Sequence, residues 1–259
     1  MKIITAILAI AYRDLMRYVN DKTRVAFSFV FPMIFIVLQG SALQSNLGEN
    51  VGFNFLIFTF TGVVGQNLFQ STASGIISLI EDRENNYSQE LFVAPVPRWG
   101  ILFGKILGES LVSLTLLISI VIIGIVMRLP IDWAGFSRML LVALPVCLFG
   151  GAFGLLVMGN LGNQRSANQI FPFVMFPQFF LSGAFFPVVN LPLPLLILSR
   201  IAPMTYAVDL MRSTYYLGST TYDKVVLFSP WVSGGVILFM GLLFLAFGTW
   251  SYSRNEKNK

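Results

Sequence analysis

Apolar residues are gathered along this chain into six long blocks, at about 25–43, 51–80, 106–127, 139–159, 169–189 and 230–250. A helix that crosses a bilayer needs about 20 mostly apolar residues, and each block is of that order. The block at 51–80 carries no charge, and the third is preceded by Lys105 and interrupted early by Glu109. A shorter apolar run at 191–199 holds Pro192 and Pro194 and is too short to cross alone. It fits a re-entrant or interfacial piece. Before the first block, Ile4, Ile7, Leu8, Ala11, Leu15 and Val19 recur at helical spacing, with Arg13, Asp14, Arg17 and Asp21 largely on the other side. That pattern predicts an amphipathic helix over 1–24, lying at the interface with its basic side toward headgroups or solvent. The expected fold is an all-α integral membrane protein: six transmembrane helices over 25–259, an N-terminal amphipathic interfacial helix, and short re-entrant helices between spans 5 and 6.

Composition agrees. The chain has 259 residues, 56% of them hydrophobic and 11% charged, against roughly 25% charged in soluble proteins. There is no His, and Cys147 is the lone Cys. His-based acid–base catalysis, a Cys/His zinc site and an internal disulfide are therefore excluded. The net charge of +5 is a matter of topology. With the N-terminus in the cytoplasm, twelve basic residues fall inside and five (Arg128, Arg138, Arg200, Arg212, Lys224) outside. Both termini are expected in the cytoplasm, the re-entrant pieces face outward, and nucleic acid is not needed to explain the charge.

Nothing in the chain reads as a nucleotide site. Gly100 and Gly104-Lys105 have three residues between the glycines where a phosphate loop needs four, and Ile106 stands where Ser or Thr belongs. More informative is the polar stretch 81–99 between the second and third blocks. Glu81-Asp82-Arg83-Glu84 opens a charged, helix-compatible run that Pro95-Val96-Pro97 stops. As a solvated loop it would be unremarked; as a short helix it would suit docking to a soluble partner.

Three stretches of residues resemble one family. Arg83-Glu84, then Glu90-Leu91-Phe92-Val93-Ala94-Pro95-Val96-Pro97-Arg98-Trp99 and Gly104-Lys105, are similar to the cytoplasmic loop of ABC type 2 transporter permeases. Phe180-Leu181-Ser182-Gly183-Ala184-Phe185-Phe186-Pro187, followed by Leu191-Pro192, resembles their Ser-Gly-x-x-Phe-Pro stretch. Pro203-Met204-Thr205-Tyr206, with Asp209 and Arg212, resembles a later one. The resemblance implies the membrane subunit of a bacterial or archaeal exporter of drugs, polysaccharides or lipids. It implies two permease copies, a homodimer or a heterodimer, working in the inner (plasma) membrane with cytoplasmic ABC ATPase subunits. The chain would bind no cofactor; ATP and Mg would sit on the partner. It also places ATPase coupling at Glu81, Asp82, Arg83, Glu84, Glu90 and Leu91.

Polar groups inside spans are costly enough to suggest function. The second block presents Gln66, Asn67 and Gln70, and the fifth aligns Phe171, Met175 and Gln178 in one helical stripe. Either set can be plain helix packing. The family resemblance favours a passage for amphipathic cargo lined by both. Asp209 and Arg212, three apart, are expected to pair in an extracellular structural role, and Lys105 is expected to pair with Glu109. An ATPase-independent secondary transporter or channel is the alternative, but it would want paired charges in separate spans.

Overall fold

The computed structural model describes residues 2–84, 97–159, 161–188 and 191–257, and the described residues are helical, with no strand among them. Helix α1 (Lys2–Asn20) is followed by α2 (Lys22–Ile34), a π-helical turn (Phe35–Gly40) and α3 (Ser41–Val51), which run on without a break. Pro32 within α2 has no N–H to donate and crowds the preceding carbonyl. The wider π turn that follows is a usual way for a helix to absorb such a defect. Asn54 caps α4 (Phe55–Gly75) by accepting from the Ile57 N–H at 3.1 Å. Next come α5 (Ile77–Glu84), α6 (Arg98–Val126), α7 (Trp133–Met158) and α8 (Gln164–Leu181). The chain closes with α9 (Leu193–Ile201), α10 (Pro203–Tyr215), the short α11 (Tyr222–Val225) and α12 (Pro230–Lys257).

Helix α4 is the centre of the molecule and packs against α6, α7 and α10. The contact with α7 is close because Gly150 and Gly154, one turn apart, lie on the backbone carbonyls of Phe69 and Ala73, where any Cβ would collide. Small residues at this spacing let two helix backbones approach in a membrane protein. Around that seam the Phe69 ring lies 5.4 Å, centroid to centroid, from each of Phe149 and Phe153, and Phe244 of α12 stacks on Phe149 at 5.7 Å.

Among the described residues, four stretches of helix are long and apolar enough to cross a bilayer: Lys22–Asn46, Trp99–Val126, Trp133–Met158 and Tyr222–Arg254. A fifth is possible if α9 and α10, bent by 84° at Ala202, count together. The expected second and fifth spans correspond to α4 and α8, which are not among those four. Amides at Gln66, Asn67 and Gln70 dilute the hydropathy of α4, and a helix enclosed by others need not be apolar all round.

Helix α1 departs from the expected pose. Its Ile10 and Ala11 are buried against α6, where Gly104 and Gly108 would bring a Cβ to within 3.2 Å of the Ile7 Cα and 3.0 Å of the Ala11 Cα. Arg13 and the half-exposed Arg17 reach across to carboxylates of α5, while Ile4, Leu8, Tyr12 and Val19 stay exposed. Oppositely charged groups on α5 and α6 lie within reach of its charges and pair with them.

Candidate functional site

At the end of the bundle where α1 and α5 lie, six charged side chains form one cluster. Lys105, 2% exposed, puts Nζ 3.1 Å from Asp14 Oδ2 and 3.0 Å from Asp82 Oδ2. Arg13 donates to Asp14 at 2.8 Å and to Asp82 at 2.7 Å. Arg17 donates to Glu81 at 2.5 Å and reaches Asp82 at 3.8 Å. Three cations thus face three anions from three helices. Burial works against the Asp82 carboxylate, yet Lys105 and Arg13 hold it below the usual range. Burial also opposes the Arg13 charge, and Asp14 with Asp82 overcomes it, so Arg13 is held protonated more firmly than usual. The bond to Glu81 raises Arg17 likewise.

The expected coupling residues therefore have internal partners. Glu81 and Asp82 face α1 and α6, and Glu84 Oε1 accepts from the Gln164 N–H at 3.1 Å, capping α8. These carboxylates tie α5 to three neighbouring helices, with Glu84 still exposed and Glu81 partly so. Glu90, Leu91 and the side chain of Arg83 lie outside the described residues. Lys105 is likewise not paired with Glu109: Glu109 accepts from Ser78 at 3.1 Å, and Arg24 approaches it at 3.9 Å. Arg13, Asp14 and Arg17 were readable only as the polar side of an amphipathic helix, because their partners lie some seventy and ninety positions away.

Beside the cluster a polar groove of about 290 Å³ opens between α2, α4 and α6. Asn67, Gln70, Ser71 and Ser74 form its α4 wall, with Arg24 and Tyr18 at one edge and Val112 and Leu116 opposite. Asn67 and Gln70 thus share one wall of this groove. Gln66 is buried on another side of α4.

The stripe on α8 is placed differently from the sequence reading. Met175 and Gln178 are buried within the subunit, and Phe171 packs partly buried against its core. The Gln178 amide donates to Val174 O at 3.1 Å and accepts from Met204 N at 3.2 Å, joining α8 to α10. The exposed face of α8 is instead Ile170, Phe173, Phe176 and Phe180. Periodicity identifies which residues share a face; which face turns inward depends on α10, a partner that spacing on α8 cannot reveal.

Asp209 and Arg212 do not pair with each other. Asp209 accepts from the N–H groups of Leu227 (2.8 Å) and Phe228 (3.1 Å) and from Ser233 Oγ (2.8 Å), pinning the start of α12. Arg212 donates to the carbonyls of Gly183 (2.9 Å), Ala184 (3.3 Å) and Phe58 (3.3 Å), with its guanidinium 3.7 Å above the Phe58 ring. It holds the Ser182-Gly183-Ala184 turn against α4. A lone loop carbonyl is invisible to sequence spacing, so the i,i+3 pairing was the wrong partner choice.

The chain is 24% identical over 225 residues to the putative transport permease ycf38 of Cyanophora paradoxa, covering 81% of this chain and 75% of that protein. It is 24% identical over 239 residues to the capsule polysaccharide export inner-membrane protein CtrC of Neisseria meningitidis, covering 89% and 85%. A third relative, the probable multidrug ABC transporter permease YbhR of Escherichia coli, is 30% identical over 143 residues, which is 54% of this chain and 38% of that one. The model of the ABC-2 type transporter family matches residues 5–216. With that match over most of its length, and a bundle of apolar helices beneath it, the chain belongs to the ABC-2 type transporter family of membrane permeases.

Proposed function

We propose that this chain is the transport subunit of an ATP-driven exporter, working as a pair of permeases with separate cytoplasmic ABC ATPases. Membership in the family implies association with such ATPases. In this reading six segments span the inner membrane: the long helix from Lys22, then α4, α6, α7, α8 and α12. The bent α9–α10 pair is re-entrant on the outer side, and both termini are cytoplasmic. ATP and Mg belong to the partner, and the chain itself performs no covalent chemistry.

The observation that carries the proposal is the placement of α5. It continues the line of α4 after a break at Ile76, is ion-paired to α1 and α6, and leads in sequence into 85–96. Displacement received by 85–96 would thereby reach the wall of the polar groove directly. That groove, rather than the buried Met175–Gln178 stripe, is the better start of a passage: amides and hydroxyls on one wall, Val112 and Leu116 on the other. Such a lining suits amphipathic cargo. The polysaccharide and multidrug relatives support that class, and a lipid, a glycan or a small amphipathic molecule all fit it. The exposed phenylalanines of α8 are available to meet the second copy.

Reconstitution with the cognate ATPase in vesicles, screened against lipid-linked glycans and amphipathic drugs, tests the reading. ATP-dependent movement of one class away from the ATPase side is expected. Movement that persists without any ATPase would overturn it in favour of a secondary transporter.

A further inference from the structure

Resting on the exporter reading, we propose that Lys105 is the transmission node of this permease: a positioning residue that joins α1, α5 and α6 into a single moving body through the carboxylates of Asp14 and Asp82.

Burial makes these charges costly. Lys105, Asp14 and Asp82 are 2%, 5% and 8% exposed. Charges removed from water to that extent are stable only while their partners stay in place. Each of the three comes from a different helix: Asp14 from α1, Asp82 from α5, Lys105 from α6. Lifting α5 away would leave Lys105 and Arg13 with one carboxylate between them. Lifting α1 away would remove Asp14 and Arg13 together and leave α6 and α5 with a half-broken cluster. Partial separation is thus penalised in either direction, so the three helices dock and move together. Backbone contact reinforces this on one side, where Gly104 and Gly108 seat α1 on α6. The other side has no glycine seam: α5 meets α6 through Leu79, clustered with Leu102 and Ile106, through Ser78, and through the charges.

The same body has a defined hinge. Helix α4 ends at Gly75, Ile76 turns its N–H to Ser74 O, and α5 restarts at Ile77. A side chain at position 75 would collide with the Glu109 carboxylate, and Ser78 donates to that carboxylate at 3.1 Å. The break therefore rests on α6. Movement of α5 with α1 and α6 must be taken up at Gly75–Ile76, immediately below Ser71 and Ser74 of the groove. Coupling then depends on Lys105, a residue that touches neither cargo nor nucleotide.

The test uses the full permease with its ATPase in lipid vesicles and two readouts. One is cargo-stimulated ATP hydrolysis; the other is hydrogen–deuterium exchange in residues 2–20 and 77–84. For Lys105→Met, exchange should rise in both segments together, and stimulation should fall by about tenfold, within the span typical of coupling between sites. Lys105→Arg, which keeps a cation able to bridge two carboxylates, should restore both. Unchanged stimulation in Lys105→Met, or loss of protection in only one segment, overturns the proposal. If that variant does not assemble, Asp82→Asn takes its place: Lys105 then keeps Asp14 and α1 keeps its seat on α6, so loss of protection confined to 77–84 with reduced stimulation is expected, and unchanged protection of 77–84 or unchanged stimulation is the overturning result. A wild-type complex that shows no cargo-stimulated hydrolysis would remove the exporter reading, while the exchange comparison would still decide the node.

Discussion

Arg212 shows how much one side chain can hold. Its guanidinium serves three carbonyls on α4 and on the turn after α8, and sits over the Phe58 ring. Lysine cannot reproduce that fork or the stacking. Arg212→Lys should therefore lower stability by about 2–3 kcal/mol, the scale of a lost hydrogen bond to a charged group, read as a drop in the thermal midpoint of the purified permease. A midpoint equal to wild type would mean the carbonyls find other donors. The motif containing this residue was legible in the sequence. Its partners were not, because a backbone carbonyl has no sequence signature.

For the helices, the informative case is α1. Its hydrophobic spacing predicted the helix correctly, but amphipathicity alone pointed its charges outward. Carboxylates on α5 and an ammonium on α6 reverse that choice: once helix packing buries Asp14 and Lys105, their charges need partners, and charge-assisted bonds offset part of the cost of leaving water. A pH dependence follows. The Asp82 value is lowered on folding, so the stabilisation it supplies is fully present above the ordinary aspartate value of about 3.9. It is lost as pH falls through the lower, folded value. A spin label at the exposed Tyr12 should stay immobilised at pH 5 and loosen only below about 3.9. Release of α1 already at pH 5 would show that Asp82 is not held low.

On the scale of the whole molecule, the exposed apolar residues are distributed unevenly in a way that bears on assembly. Phe173, 82% exposed, and Phe176, 60% exposed, project from α8 on the side away from Met175 and Gln178. If two copies meet there, Phe173→Cys in a Cys147→Ser background should cross-link to itself in membranes, and the buried Met175→Cys should not. The reverse pattern would return the passage to the Met175–Gln178 stripe. Periodicity in α8 was the same evidence for both faces, and packing of Gln178 onto Met204 separates them.

The sequence by itself determined what depends on local composition: a membrane protein, all helical, with an amphipathic helix ahead of a long apolar one, and motifs that place it in its family. Hydropathy and helical spacing are properties of neighbouring residues, so they survive without a fold. Only the tertiary structure decided which polar groups satisfy one another. Lys105 passed over Glu109 four residues away for Asp14 and Asp82, and Asp209 passed over Arg212 for the start of α12. In a low-dielectric interior a buried charge is held by whichever partner the packing brings within about 3 Å, and that distance is set by helix crossings that no spacing along the chain encodes.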